Sequence, residues 1–371
     1  MMKGLYYYTK KIYQFSQSKL IFNILSGKII TTTLLPLTFF YFLFRYGPMR
    51  SKMMNKKLDR LDKFAKGLIL CHSGDNRVPQ GQNFKRVFVY HATCDKTFAG
   101  AEGKIGADWF EYFFLTGDKD LYKLKNYTYN PEILEGKIVK IGMFRSDTIF
   151  NKSYNKENIL KRYRIKTGNK KIILYAPTWK WGGGSLGVCF ETFVQEIPKK
   201  YVLIIRPHYN DSILIKEILK WQRKHKVKDF YFFPRQYQDI MNFIYISDLL
   251  IGDNSSVNYT FSITKRPIVM VKTKTKDVFI PPDEYNIKLC GPLYDPKSDN
   301  ILEKVDEAFS NSLYRKRIEK LVEKSFYFND GHAVDRACSF IVDKLGEMGI
   351  IDRDKIINKY KNKFQYFSNY K

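Results

Sequence analysis

The sequence predicts an α/β chain built from two βαβ-type units of unequal size. Two observations carry that prediction. From Lys66 onward, short apolar runs ending in polar or glycine turns alternate with amphipathic stretches, and a polar, cationic stretch at 151–171 divides the runs into two groups. Strands covered on both faces read as continuous apolar runs, and the spacers are long enough for crossover helices.

The first element in chain order is unlike the rest. Ten cations, from Lys3 to Lys57, precede the first acidic residue, Asp59. Between Lys28 and Arg45 lies the uncharged stretch "IITTTLLPLTFFYFLF" with Pro36 inside it. As a helix it would reach about 24 Å, short of the roughly 30 Å hydrocarbon core of a bilayer. No small-residue cleavage site follows, which argues against a removed signal peptide. Residues 1–57 are therefore expected to be a membrane-associating segment, with aromatic groups in the interface and Lys and Arg on anionic headgroups. A hairpin packed into the fold and a tilted span are the other readings of the same residues.

The strand candidates follow. They are "GLILCH" (67–72), "RVFVYHAT" (86–93), "YFFLTGD" (112–118) and "KIVKIGMF" (137–144), then "KIILYAPT" (171–178), "YVLIIRPH" (201–208), "DFYFF" (229–233), "DLLIGDNSS" (248–256) and "PIVMV" (267–271). The expected division is a domain over 58–165, a second over 166–340 and a basic helical tail over 341–371.

Composition narrows the function classes. The chain has 371 residues, 44% hydrophobic and 16% aromatic, which supports two cores and excludes disorder. Sixty-four Lys and Arg against 37 Asp and Glu leave a net charge of +27, which calls for an anionic partner: a membrane, a nucleic acid or a phosphate-rich substrate. The five cysteines are scattered without a CxxC pair, so neither a disulfide framework nor a zinc site is indicated.

Open α/β sheets bind ligands beyond the carboxyl ends of their strands, and the polar clusters of this chain sit there. Ser255 and Ser256, after Gly252 and Asp253, fall where a helix begins. There, unpaired N–H groups favour an anion; an ordinary helix cap uses the same residues. Arg206 and His208 emerge from another run with Pro207 between them, a planar fork for phosphate and a proton carrier near neutrality, or an incidental surface turn. His91 directly follows a third run, with Thr93 and Lys96 close behind. A histidine there serves as a general base or as a buried core residue. "APTWKWGGG" (176–184) ends a fourth run. The triplets Asp118-Lys119-Asp120 and Asp352-Arg353-Asp354 look like charged turns, so no metal site is expected.

"YHATCDK", "ILYAPTW", "IIRPH", "SDLLIGDNSSVNYTFSITKRPIV" and "DGHAVDR" stand in the order seen in the CDP-glycerol glycerophosphotransferase family, which this chain resembles over residues 85–340. The family usually has His-Gly-Thr at His91-Ala92-Thr93 and Asp-Tyr-Ser-Ser at Asp253-Asn254-Ser255-Ser256. The resemblance implies a GT-B-like fold, two Rossmann-type domains facing across a cleft. It implies a CDP-polyol donor, glycerol or ribitol, a lipid-linked or glycan acceptor, and attachment to the anionic cytoplasmic face of the bacterial membrane, with no cofactor. On it, His91 and His208 are the catalytic candidates, and Arg206, Asp253, Ser255, Ser256, Thr178 and Lys96 hold the donor phosphates. A transferase using a nucleotide sugar shares the same anion grip. A nucleic-acid-binding protein would account for the charge, but no RRM, OB or helix-turn-helix signature is present, and no nucleic-acid partner is expected.

Overall fold

A computed structural model describes residues 2–9, 12–32, 36–47, 51–54, 66–72, 82–89, 93–98, 103–180, 183–235, 238–274 and 280–368. The chain divides into two compact units. The first comprises residues 1–91, 97–150 and 325–371; the second comprises 92–96 and 151–324.

The first unit holds strands β1 (Leu5–Tyr8), β2 (Lys28–Thr32), β3 (Ser51–Met54), β4 (Gly67–Cys71), β5 (Phe84–Val89), β6 (Tyr112–Leu115) and β7 (Ile138–Lys140), in the order β3-β2-β1-β4-β5-β6-β7. Every pairing is parallel, with Tyr7 beside Leu70 and Leu70 beside Val87. Side chains alternate between two buried faces. Leu68, Leu70, Val87 and Val89 enter one apolar cluster, and Ile69, Cys71 and Phe88 enter the other. That two-sided burial is why the strands read as unbroken apolar runs.

The segment 1–57 is not a separate element. Its described part supplies β1, β2 and β3 with the helices Ile12–Leu25 and Pro36–Tyr46, and β1 lies inside the sheet between β2 and β4. Four of the aromatics expected in a lipid interface, Tyr7, Phe15, Phe22 and Phe42, are buried and pack on each other instead. Phe15 meets Tyr7, Phe22 and Phe42 edge to face at 5.1–5.7 Å between ring centres. Such contacts add about 0.5–1.5 kcal/mol each beyond simple burial. The apolar run is split between β2 and the helix that starts at Pro36. No helix among the described residues is long and apolar enough to cross a membrane. The far end of the chain also departs from the expected boundaries. From Ser325 it belongs to the first unit, where the helix Ala333–Glu347, Tyr360 and Phe364 join the β4–β5 apolar cluster.

The second unit holds β8 (Ile172–Tyr175), β9 (Val202–Ile205), β10 (Phe230–Phe232), β11 (Leu249–Gly252), β12 (Ile268–Val271) and β13 (Leu293–Tyr294), in the order β10-β9-β8-β11-β12-β13. All pairings are parallel, and every residue of β8, β9, β11 and β12 is buried. This is the doubly wound order 3-2-1-4-5-6, whose switch point, between β8 and β11, opens a crevice at the carboxyl ends of those strands.

A buried carboxylate ties the C-terminal return to the first unit. Asp147 accepts hydrogen bonds from the Ala333 and Val334 amides at 3.1 and 2.8 Å, capping the Ala333–Glu347 helix across 186 residues of sequence. Burial raises its pKa to about 7, against the pull of those two amides, and the nearby Asp335 and Asp330 charges add to the rise. The folded chain therefore keeps a proton that an unfolded Asp sheds near pH 4, and stability falls as pH rises from about 4 to about 7. Asp147→Asn is expected to flatten the dependence of melting temperature on pH across that window. An unchanged slope in the variant would remove Asp147 as its source.

Candidate functional site

The crevice of the second unit is built by the loops that follow β8, β11 and β9. Gly252 closes β11. A side chain there would run into Asn258, whose amide Nδ2 donates to the Asp253 carbonyl at 2.5 Å, so the close approach requires glycine. Asp253 is buried and turns its carboxylate toward the β8 loop. Oδ1 accepts from the Thr178 amide at 2.8 Å, and Oδ2 accepts from the Ser185 amide at 2.9 Å and hydroxyl at 2.8 Å. With the Ser185 proton spent on Asp253, the Tyr175 hydroxyl donates to Ser185 Oγ at 2.7 Å. Burial raises the Asp253 pKa, while these donors and the Lys96 charge pull it back down.

From the other side, Asp211 after β9 accepts from the Lys180 amide at 2.8 Å through Oδ1. The loop between them folds tightly on itself. The Gly184 amide donates to the Trp179 carbonyl at 3.0 Å, and a Cβ on Gly184 would strike the Thr178 carbonyl. Lys96 Nζ donates to Thr178 Oγ1 at 2.9 Å. Next to Lys96, Asp95 is buried against the Tyr259 hydroxyl at 2.6 Å.

The structure thus brings Lys96, Thr178 and Asp253 into one cluster. Asp253, expected on the donor phosphates, has another occupation: both carboxylate oxygens hold the loop, and a carboxylate facing a phosphate would repel it. Ser255 and Ser256 follow it, half-buried. Ser255 Oγ accepts from the Val257 amide at 3.3 Å, and Ser256 stands at the cap position of the short helix Val257–Ser262 without a side-chain capping bond. Arg206 donates through Nε to the Gln238 carbonyl at 3.1 Å and through Nη1 to the Pro207 carbonyl at 2.6 Å, which orients its fork. Burial lowers its pKa to about 10, against the opposing Asp239 and Tyr163 charges, so it remains a cation at neutrality. His208 Nδ1 accepts from the Asn210 amide at 3.2 Å, so its neutral ring carries the proton on Nε2. Its ring lies near-parallel to Trp179, with centres 6.2 Å apart. His91 lies outside the described residues.

The residues missed by sequence reasoning are Ser185, Tyr175, Asn258 and Asp211. Asp211 stands in the quoted stretch "LIIRPHYND" and carried a signal, a carboxylate in the turn after a strand. Ser185 lies among loop glycines and carried none. Among the described residues, no three His, Cys, Asp or Glu side chains converge as metal ligands.

Comparison with known proteins points one way. Residues 77–343 match the family model described as CDP-glycerol:poly(glycerophosphate) glycerophosphotransferase. The teichoic acid poly(glycerol phosphate) polymerase of Bacillus spizizenii is 28% identical over 240 residues, covering 59% of this chain and 57% of that protein. The teichoic acid glycerol-phosphate transferase of Staphylococcus aureus is 29% identical over 225 residues, covering 55% of this chain and 54% of that protein. The chain therefore spans about half the length of the curated relatives it matches. The solved wall teichoic acid polymerase TagF has a similar fold, with a TM-score of 0.64 at 18% identity, covering 93% of this chain and 89% of that one.

Asp253→Asn tests the role of the buried carboxylate. An amide supplies one acceptor where two are needed, so a buried N–H of the loop loses its partner at a cost of about 1–3 kcal/mol. Chemical denaturation is expected to show that loss of stability. A midpoint indistinguishable from the parent chain would mean the carboxylate does not hold the loop.

Proposed function

The chain belongs to the CDP-glycerol:poly(glycerophosphate) glycerophosphotransferase family, and from that premise we propose that it transfers a polyol phosphate, glycerol or ribitol, from a CDP-activated donor to a hydroxyl of a membrane-associated acceptor, releasing CMP. The donor belongs to the second unit and the acceptor to the first, as a GT-B-like pair. The observation that carries the proposal is the switch-point crevice: both oxygens of the Asp253 carboxylate are taken up by the loop after β8, while Arg206, His208, Ser255 and Ser256 stand after β9 and β11 and Lys96 reaches Thr178.

The reaction needs three things of these residues. A base takes the proton from the acceptor hydroxyl; His91 has that role. The acceptor oxygen then bonds to the polyol-bearing phosphorus as the bond from that phosphorus to the bridging oxygen breaks, and the electron pair leaves with CMP. Charge accumulating on the phosphate oxygens is met by cations and fixed hydrogen-bond donors. The Nε2–H tautomer of His208 suits it to donate to a phosphate oxygen, and Arg206, already tethered by two carbonyls, pays little entropy to hold its fork in place.

The first unit offers a membrane-facing element. On the helix Pro36–Tyr46, Phe40, Tyr41 and Phe44 are exposed, Phe44 at 87%, with exposed Arg45 beside them. Aromatic side chains beside a cation fit the interface of an anionic bilayer, and the cytoplasmic face of the bacterial membrane supplies one.

Three measurements test the proposal. Release of CMP is expected from CDP-glycerol or CDP-ribitol and from no sugar nucleotide in a donor panel. His91→Ala and His208→Ala should each lower turnover at least about 10²-fold with the fold intact; a near-normal rate in either removes that residue from the mechanism. In sedimentation with vesicles containing anionic lipid, Phe40→Ser with Phe44→Ser should weaken binding about 10-fold or more, and equal binding would exclude this helix from the contact.

A further inference from the structure

Asp211 has one carboxylate oxygen in use and one without a partner. Oδ1 accepts from the Lys180 amide at 2.8 Å; Oδ2 is buried and makes no hydrogen bond among the described residues. The residue is more than nine-tenths buried. It stands at the cap position of the helix Ser212–Lys224, yet makes no side-chain capping bond there. It is therefore not spent on the usual task of an aspartate at that position. Asp253, on the far side of the same loop, has three donors on its two oxygens. A buried carboxylate oxygen with no donor is costly, and burial accordingly raises the Asp211 pKa against the pull of the Lys180 amide and charge.

Resting on the CDP-polyol reading above, we infer that Asp211 is a specificity-determining residue whose Oδ2 accepts a hydrogen bond from an alcohol hydroxyl of the bound donor. The missing partner must bring a hydrogen, which an ionised phosphate does not. Asp211 lies three residues from His208 and is bonded to the loop that carries Thr178, so it borders the groups assigned to the diphosphate. The parts of a CDP-polyol that directly flank its diphosphate are the ribose and the polyol, and both carry alcohols. The cytosine amino group is set apart from the diphosphate by the ribose.

Titration calorimetry of the full chain with CMP and with CDP-glycerol decides the matter. Asp211→Asn keeps an oxygen for the Lys180 amide and replaces Oδ2 with a group that cannot accept. It is expected to weaken binding about 10- to 100-fold. Loss for CDP-glycerol alone identifies the polyol hydroxyls; equal loss for CMP and CDP-glycerol identifies the ribose; both support the inference. Unchanged affinity for both ligands overturns it and leaves the transfer reading standing. A parent chain that binds neither ligand overturns the transfer reading and this inference with it. Should the variant not fold, the parent chain is titrated with 2′,3′-dideoxycytidine monophosphate against CMP, and with the ethyl ester of CDP against CDP-glycerol. A penalty of about 10-fold in either comparison supports the inference, and none in both overturns it.

Discussion

The site depends on how one irregular loop is held. The described residues of that loop, 178–180 and 183–185, follow β8, a strand flanked on both sides, and their amides have no sheet partner to return to. Two buried carboxylates, one from each flanking strand end, take them: Asp253 the amides of Thr178 and Ser185, Asp211 the amide of Lys180. A buried N–H without a partner costs about 1–3 kcal/mol, and a hydrogen bond to a charged group contributes about 1.5–3. The carboxylates thus turn that liability into a ledge held by hydrogen bonds. Removing that ledge would free the Thr178 hydroxyl that receives Lys96 and the Trp179 ring beside His208.

That arrangement also sorts charge. Two acids beneath an anion-binding crevice oppose its occupant, since like charges a few ångströms apart repel strongly where water is excluded. Here the Asp253 carboxylate is engaged by two amides and a hydroxyl, with the Lys96 charge nearby. Arg206 shows the opposite balance. Burial costs it, yet a pKa near 10 leaves the guanidinium charged by a wide margin at neutral pH, and with less water to displace it can meet a phosphate at full strength.

What was legible in the sequence follows from this physics. β8, β9, β11 and β12 are buried on both faces, so each is an apolar run that periodicity alone can find. β1 to β3 escaped because Tyr6, Tyr7, Tyr8 and the cation-flanked aromatics that follow have the composition of an interfacial anchor; only the partner β4 shows that Tyr7 faces a core. The return of the chain at Ser325 had no local mark, since an amphipathic helix does not encode which sheet will cover it. At the site, the residue types after each strand were readable. The direction of the Asp253 carboxylate was not, because its partners lie 68 and 75 residues away and a nearby helix start offered an equally plausible use.

The two units share a strand order around their first four strands, so each has a switch point. In the first unit it falls between β1 and β4. There His72, just past β4, is buried; its Nδ1 donates to the Tyr8 carbonyl at 3.3 Å, which leaves Nε2 to accept from the Ser18 hydroxyl at 2.6 Å. Ser18 is buried too. These two bonds use both ring nitrogens of His72. In the second unit, Gly252 admits the Asn258 side chain and Gly184 admits the Thr178 carbonyl, and polar groups are left over: Arg206 keeps Nη2, Ser256 its hydroxyl and Asp211 its Oδ2 without a protein partner among the described residues. The fold supplies the same gap twice, and at the second of them Arg206, Ser256 and Asp211 keep polar atoms that the described residues do not pair.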